Sequence, residues 1–438
     1  MTFFTKSNSW LDGLYERSYT MKMGRVTLPR LDMYIPNEPE LIHRIMIEEV
    51  NLFPKHPLLQ ETLEPLLGES IFSTNGAVWK KQRELLNPSF EMTRISHVFD
   101  LMHDASEDML LRLELISDGE YHNIDKEMTF VTADIIFRTI LSEELTKEEG
   151  QKIIEAFQTF QEQSAKIGMQ KMFPIPSIFR KFNREKSYQK SGKVIRDTLS
   201  SIIKPRYQMM QRGELSQEKD ILASLLKVKD QDTNQAFSFK EILDQVAMLF
   251  LAGHETSASS MSWTLYLLGL YPDIQEEAYQ EIISTCKTEK FSPQNTKDLT
   301  LVNNIFKEAL RLYPPVGFFA RVAKKESILR DKKVAKGSTI IISPWLMQRN
   351  ENYWEDPHMF NPKRFENPQN IHKYTYFPFG LGKRTCIGER FAMQESMLLL
   401  ASILRNFKIV LKEGFVPDIA GRLTIRSLNG IPIKLIKR

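Results

Sequence analysis

Cys386 is the residue of this 438-residue chain with the clearest capacity for chemistry. It lies in Phe379-Gly380-Leu381-Gly382-Lys383-Arg384-Thr385-Cys386-Ile387-Gly388, a stretch patterned F-x-x-G-x-R-x-C-x-G. A thiolate can ligate a soft metal ion if it is deprotonated and kept from water. Glycines on either side let the backbone turn tightly and come close to a flat group. The plainer reading is a buried structural cysteine, the ordinary fate of a lone thiol. Ala252-Gly253-His254-Glu255-Thr256 puts an acid beside an alcohol within an otherwise apolar run, where an unpaired carboxylate is costly. Such a pair can move protons; equally, the threonine could bond back to a helix carbonyl. Glu308 and Arg311, three apart, share a helix face, as do Trp79 and Arg83, four apart.

The elements that must hold these residues follow from pattern. Ser238-Phe239-Lys240-Glu241 reads as a capping box. It opens a helix running through Leu270 and stopping at Pro272, apolar on nearly all sides from Val246 onward. A strand pair is expected over Met23 to Asn37, followed by a helix from Glu38 to Glu49. Helix dominates from Glu91 to Lys204, broken at Met172-Phe173-Pro174-Ile175-Pro176 by its prolines. Lys229 to Ser238 reads as a surface loop. Short strands are expected at Ser327–Leu329, Thr339–Ser343, Ile409–Leu411 and Ile431–Leu435. The chain shows no repeat and no low-complexity linker, so residues 1–438 read as one domain, mainly α with a small β region.

The motifs together resemble the cytochrome P450 family, in its order and spacing, from Trp79 to Gly388. The resemblance implies a triangular helical domain with haem b (iron protoporphyrin IX) between the long helix and the cysteine loop. Cys386 would be the axial iron ligand. Phe379, Gly388 and Ala252 would contact the haem, and Trp79, Arg83, Arg321 and Arg384 its propionates. Thr256 and Glu255 would relay protons. Glu308, Arg311 and Arg364 would form a buried network holding the cysteine loop. In Asn361-Pro362-Lys363-Arg364-Phe365, Lys363 replaces the family's usual Glu.

The implied activity is a monooxygenase that activates dioxygen with two external electrons and hydroxylates or epoxidises an apolar substrate. The substrate would be lipid-like or terpenoid. Ile71, Phe72, Leu249, Val316, Phe318, Leu423 and Thr424 are candidate lining positions. Phe173, Ile175, Ile178, Phe179 and Phe182 form a candidate lid or, alternatively, helix core. Other readings are a peroxide-dependent peroxygenase, a hydroperoxide isomerase or a non-catalytic haem binder. The acid–alcohol pair argues against the peroxide users.

Bulk composition is that of an ordinary globular protein, 42% hydrophobic and 26% charged. A net charge of +4 gives no sign of nucleic-acid binding. Electrons would come from a separate ferredoxin or flavodoxin with its reductase and NAD(P)H. Lys80, Lys81 and Lys383 would attract such an acidic partner. With Cys386 on iron, Cys286 would stay a free thiol, which suits a reducing compartment. Residues 1–20 carry Lys6, Asp12, Glu16 and Arg17 and no long apolar run. No transmembrane anchor is therefore expected. A soluble, cytoplasmic enzyme of bacterial type, or one trimmed of its anchor, is the reading.

Overall fold

The computed structural model describes residues 9–28, 31–145, 147–172, 182–214, 219–230, 234–288 and 290–438. The helices that position the motifs are α1 (Gly76–Leu86), α2 (Ile124–Leu141), α3 (Lys147–Met172), α4 (Phe182–Gln211), α5 (Phe239–Leu270), α6 (Thr300–Leu312) and α7 (Glu389–Asn406). Helix α5 begins where the capping box predicts. The Ser238 hydroxyl accepts the Glu241 amide at 3.3 Å, and the Glu241 carboxylate accepts the Ser238 amide at 2.8 Å. Its 32 residues span about 48 Å. Every residue from Ile242 to Leu268 is buried except Ala252, Gly253 and Thr256.

Helix α2 lies along α5 and is itself buried throughout Val131–Leu141. Two helices apolar on all sides can persist only as the centre of a larger layer, and α3, α4, α6 and α7 complete that layer. The close approach has a sequence cause. A side chain at Gly253 would meet Ile136 Cδ1 of α2 at 2.5 Å. Gly253 is therefore small because α2 packs against it.

Strands β1 (Met23–Leu28), β2 (Leu31–Pro36), β3 (Phe319–Val322) and β4 (Thr339–Ile342) form a sheet in the order β1-β2-β4-β3. β2 and β4 are parallel and the other pairs antiparallel. β5 (Phe407–Leu411) pairs with β8 (Pro432–Lys437), and β6 (Ile419–Gly421) with β7 (Ile425–Ser427). The four-stranded sheet has its own apolar cluster, including Tyr34, Ile42, Phe53, Ile340, Ile342 and Phe377. The expected strands form within a few residues of the predicted ends. Five more were missed: β3, β6, β7 and the short strands His122–Asn123 and Lys332–Val334, none of which carries a clear alternation. The expected break at Pro174 and Pro176, and the candidate lid residues Phe173, Ile175, Ile178, Phe179 and the side chain of Phe182, lie outside the described residues.

Candidate active site

The loop before α7 is built from two tight turns, with Gly380 at φ +78° and Gly382 at φ +68°. Both values lie where only glycine is unstrained. The Cys386 amide donates to the Phe379 carbonyl at 2.8 Å, and the Gly380 amide to the Phe377 carbonyl at 3.0 Å. Gly388 behaves differently from the expectation. Its φ is −89°, and a side chain there would meet nothing nearer than Cys386 Sγ at 4.0 Å. Nothing in the polypeptide itself demands glycine at that position.

Cys386 is exposed by surface area. Even so, the surrounding protein encloses it enough for burial to push its thiol up to about 11. Both hold for a side chain that faces the interior of the molecule. A hydrogen bond from the Gly388 amide and the charge of Arg83 favour the thiolate, while Glu389 opposes it.

On α5, the residues between Ile242 and Leu268 that stay partly accessible are Ala252, Gly253 and Thr256. The Thr256 hydroxyl donates to the Ala252 carbonyl at 2.6 Å, the back-bonded arrangement. Glu255 points elsewhere. It is 4% exposed and paired with Arg426 at 2.9 Å, and it accepts from Gln161 of α3 at 2.8 Å and from the Thr424 hydroxyl. Burial works against its ionisation, but the charge and hydrogen bonds of Arg426 outweigh burial and hold the carboxyl below its ordinary range. Arg426 also pairs with Asp125 of α2. Glu255 is thus held as an anion among buried partners, so the proton-relay role expected of it would have to act through these contacts. His254 is packing: it stacks on Phe250 and sits edge-on to Phe157.

Behind α5, Glu395 of α7 is completely buried. It accepts the Ser257 hydroxyl at 2.7 Å, with its other oxygen unpartnered. Burial raises its carboxyl to about 8, against the Ser257 hydrogen bond. Sequence reasoning missed it, since one Glu in an amphipathic helix gives no signal.

Glu308 and Arg311 form a bidentate pair at 2.7 and 2.8 Å with neither side chain accessible. Arg364 joins at 3.3 Å and the Asn361 amide at 2.9 Å. Arg311 also donates to the carbonyls of Gln348, Pro357 and Met359. Gln348, absent from the sequence reading, links this network to the cysteine loop. It donates to the Leu310 and Arg311 carbonyls and accepts the Phe377 amide, all at 3.0 Å.

The basic residues converge as expected. Arg83 of α1 donates to the Thr385 carbonyl at 2.8 Å, and Arg384 lies 5.4 Å from the Trp79 ring centre. Arg321 of β3 is 6% exposed, and burial, with the charge of Arg384, lowers it to about 9. Arg321 Nε and Arg384 Nη1 are buried and unpartnered. Among the described residues no carboxylate pairs with Arg83, Arg321 or Arg384. Three guanidinium groups gathered without an anion fit a dianionic partner such as the two propionates of haem.

Of the lining candidates, Phe72, Val316, Phe318 and Leu423 are half-buried. Ile71 and Leu249 are buried, at 6% exposure each. Thr424 is turned to Glu255 and does not line an open surface. Of the candidate docking cations, Lys80 and Lys383 are exposed and Lys81 is half-buried. Lys80 is partly neutralised by Glu84 at 3.7 Å. Cys286 is a free thiol but a buried one, at the end of helix Pro272–Thr285.

The sequence model of the family described as Cytochrome P450 matches residues 8–432. The chain therefore belongs to the cytochrome P450 family of haem monooxygenases, with that family's mainly helical fold. It is 30% identical to cytochrome P450 4V2 of Rattus norvegicus over 396 residues, 86% of this chain and 75% of that protein. It is 29% identical to a cytokinin hydroxylase of Arabidopsis thaliana, covering 96% and 81%. It is 27% identical to the chloroplastic protein LUTEIN DEFICIENT 5 of the same plant, covering 94% and 72%. These relatives are animal and plant proteins, so the expectation of a bacterial source gains no support from them. Among the described residues, no helix is long and apolar enough to cross a membrane.

Proposed function

We propose that the whole chain is one haem-thiolate unit that hydroxylates or epoxidises an apolar, lipid-like or terpenoid substrate with dioxygen. Cys386 would hold the iron, and Arg83, Arg321, Arg384 and Trp79 the propionates. Bound there, the haem supplies dioxygen activation and C–H oxidation. The supporting observation is the pairing of an enclosed cysteine with an anion-free cluster of arginines. The accessible stripe on α5 gives dioxygen and substrate a surface, and the Thr256 hydroxyl is its proton-bearing atom. The half-buried apolar residues Phe72, Val316, Phe318 and Leu423 favour a water-poor site for an apolar molecule. Electrons would arrive from a ferredoxin or flavodoxin at the face carrying Lys80 and Lys383, in the cytoplasm. The reduced, carbon-monoxide-bound spectrum tests the class: a thiolate-type Soret band is expected, and an imidazole-type band would overturn the reading. High-spin shifts across fatty acids, terpenes, steroids and carotenoids test the substrate.

One observation keeps a second reading in play. With Glu255 tied to Arg426, the case against a peroxide-driven relative rests on Thr256 alone. Turnover with hydrogen peroxide equal to turnover with a reductase system would favour that relative.

A further inference from the structure

Lys55 is a fourth cation in the arginine cluster, and no sequence motif marks it. The segment around it is stitched to the edge of β3. The Val322 amide donates to the Pro54 carbonyl at 3.0 Å, the His56 amide to the Ala320 carbonyl at 3.3 Å, and Lys55 itself is bridged to Arg321. On its other side, Asn75 clamps the Lys55 backbone, accepting its amide at 3.0 Å and donating to its carbonyl at 3.2 Å. The side chain is thereby delivered into the cluster.

There it is half-accessible by area but deeply enclosed, like Cys386. Burial lowers the ammonium group well below its ordinary value, and the charges of Arg384, Arg321 and Arg83 add to that. Its Nζ donates to the Ile71 carbonyl. An ammonium group has three donors, so this bond leaves two. No described carboxylate pairs with it. A lysine needed as a tether alone would be better placed away from three like charges.

We propose that Lys55 is a further residue of the cofactor cradle. Its ammonium would hold a carboxylate of the bound haem while tying down the loop that carries Ile71 and Phe72. This rests on the haem-thiolate reading above. It assigns Lys55 two linked tasks: balancing the anion and coupling the seated cofactor to a candidate substrate-lining loop.

The test uses the holoenzyme and two variants. Lys55→Gln keeps an N–H donor for the Ile71 carbonyl and loses the charge; Lys55→Arg keeps the charge. Haem transfer to excess apomyoglobin and the haem midpoint potential are measured, neither of which depends on turnover. Lys55→Gln is expected to release haem about tenfold faster, the effect of losing one charge-assisted contact. Its potential should fall, because a nearby cation favours the reduced form. Lys55→Arg should stay within about twofold of the parent. A Lys55→Gln protein that takes up no haem while Lys55→Arg does would also support the proposal. Parent-like release and potential in Lys55→Gln would overturn it, as would equal acceleration in both variants, which marks a tether or packing role. A parent protein without the thiolate band would instead sink the haem-thiolate reading.

Discussion

Cys386 was legible because its neighbours carry independent reasons for their identities: two glycines at positive φ and an arginine against Trp79. Serine at 386 should abolish the thiolate-type Soret band and reduce turnover at least about a hundredfold, read by spectrum and product assay. The pairing of Glu255 was not legible because its partner Arg426 lies far along the chain, where no spacing rule reaches. The geometry separates the two members of the acid–alcohol pair. Thr256→Ala should lower product formed per electron consumed by about tenfold or more while leaving the thermal midpoint nearly unchanged. Glu255→Gln should do the reverse. Removing the anion leaves the buried Arg426 with Asp125 as its remaining carboxylate partner and should cost about 2 kcal/mol of stability, measured by denaturant unfolding. A Glu255→Gln protein as stable as the parent but uncoupled would restore the relay role.

At the level of elements, helices were easier to read than strands for a physical reason. Helix α5 announces its start through a side-chain cap and its course through a long apolar run, both local. β3 is only Phe-Ala-Arg-Val, and its identity as a strand comes from β4 and from the Pro54–His56 segment laid beside it. The α6 network was half legible: the Glu308–Arg311 pair follows from helical spacing, but Gln348 is recruited by open backbone carbonyls that sequence does not display. Glu308→Gln should leave Arg311 without its buried counter-charge, costing about 3–5 kcal/mol. It should also loosen haem binding, seen as a smaller thiolate band per mole of protein. Retention of both stability and haem would show that the carbonyl bonds of Arg311 suffice.

For the molecule as a whole, Glu395 makes stability depend on pH. Its folded value of about 8 stands above the ordinary 4.5, so the folded state holds a proton that the unfolded chain gives up. The stabilisation is complete below about pH 4.5 and is lost as pH rises through about 8. The loss is at most about 5 kcal/mol. Glu395→Gln should flatten this slope in denaturant melts taken from about pH 5 to pH 8; an unchanged slope would place the titration elsewhere. Gln348 sets a different property of the whole. It joins the end of α6, 37 residues before it, to Phe377, 29 residues after it. Neither partner is local, so the cysteine loop can dock only once the intervening chain has collapsed, a closure of high entropic cost. Cys386 is thus expected among the last parts of the molecule to reach its place. During biosynthesis the cofactor should be captured by a nearly finished chain rather than by a nascent one.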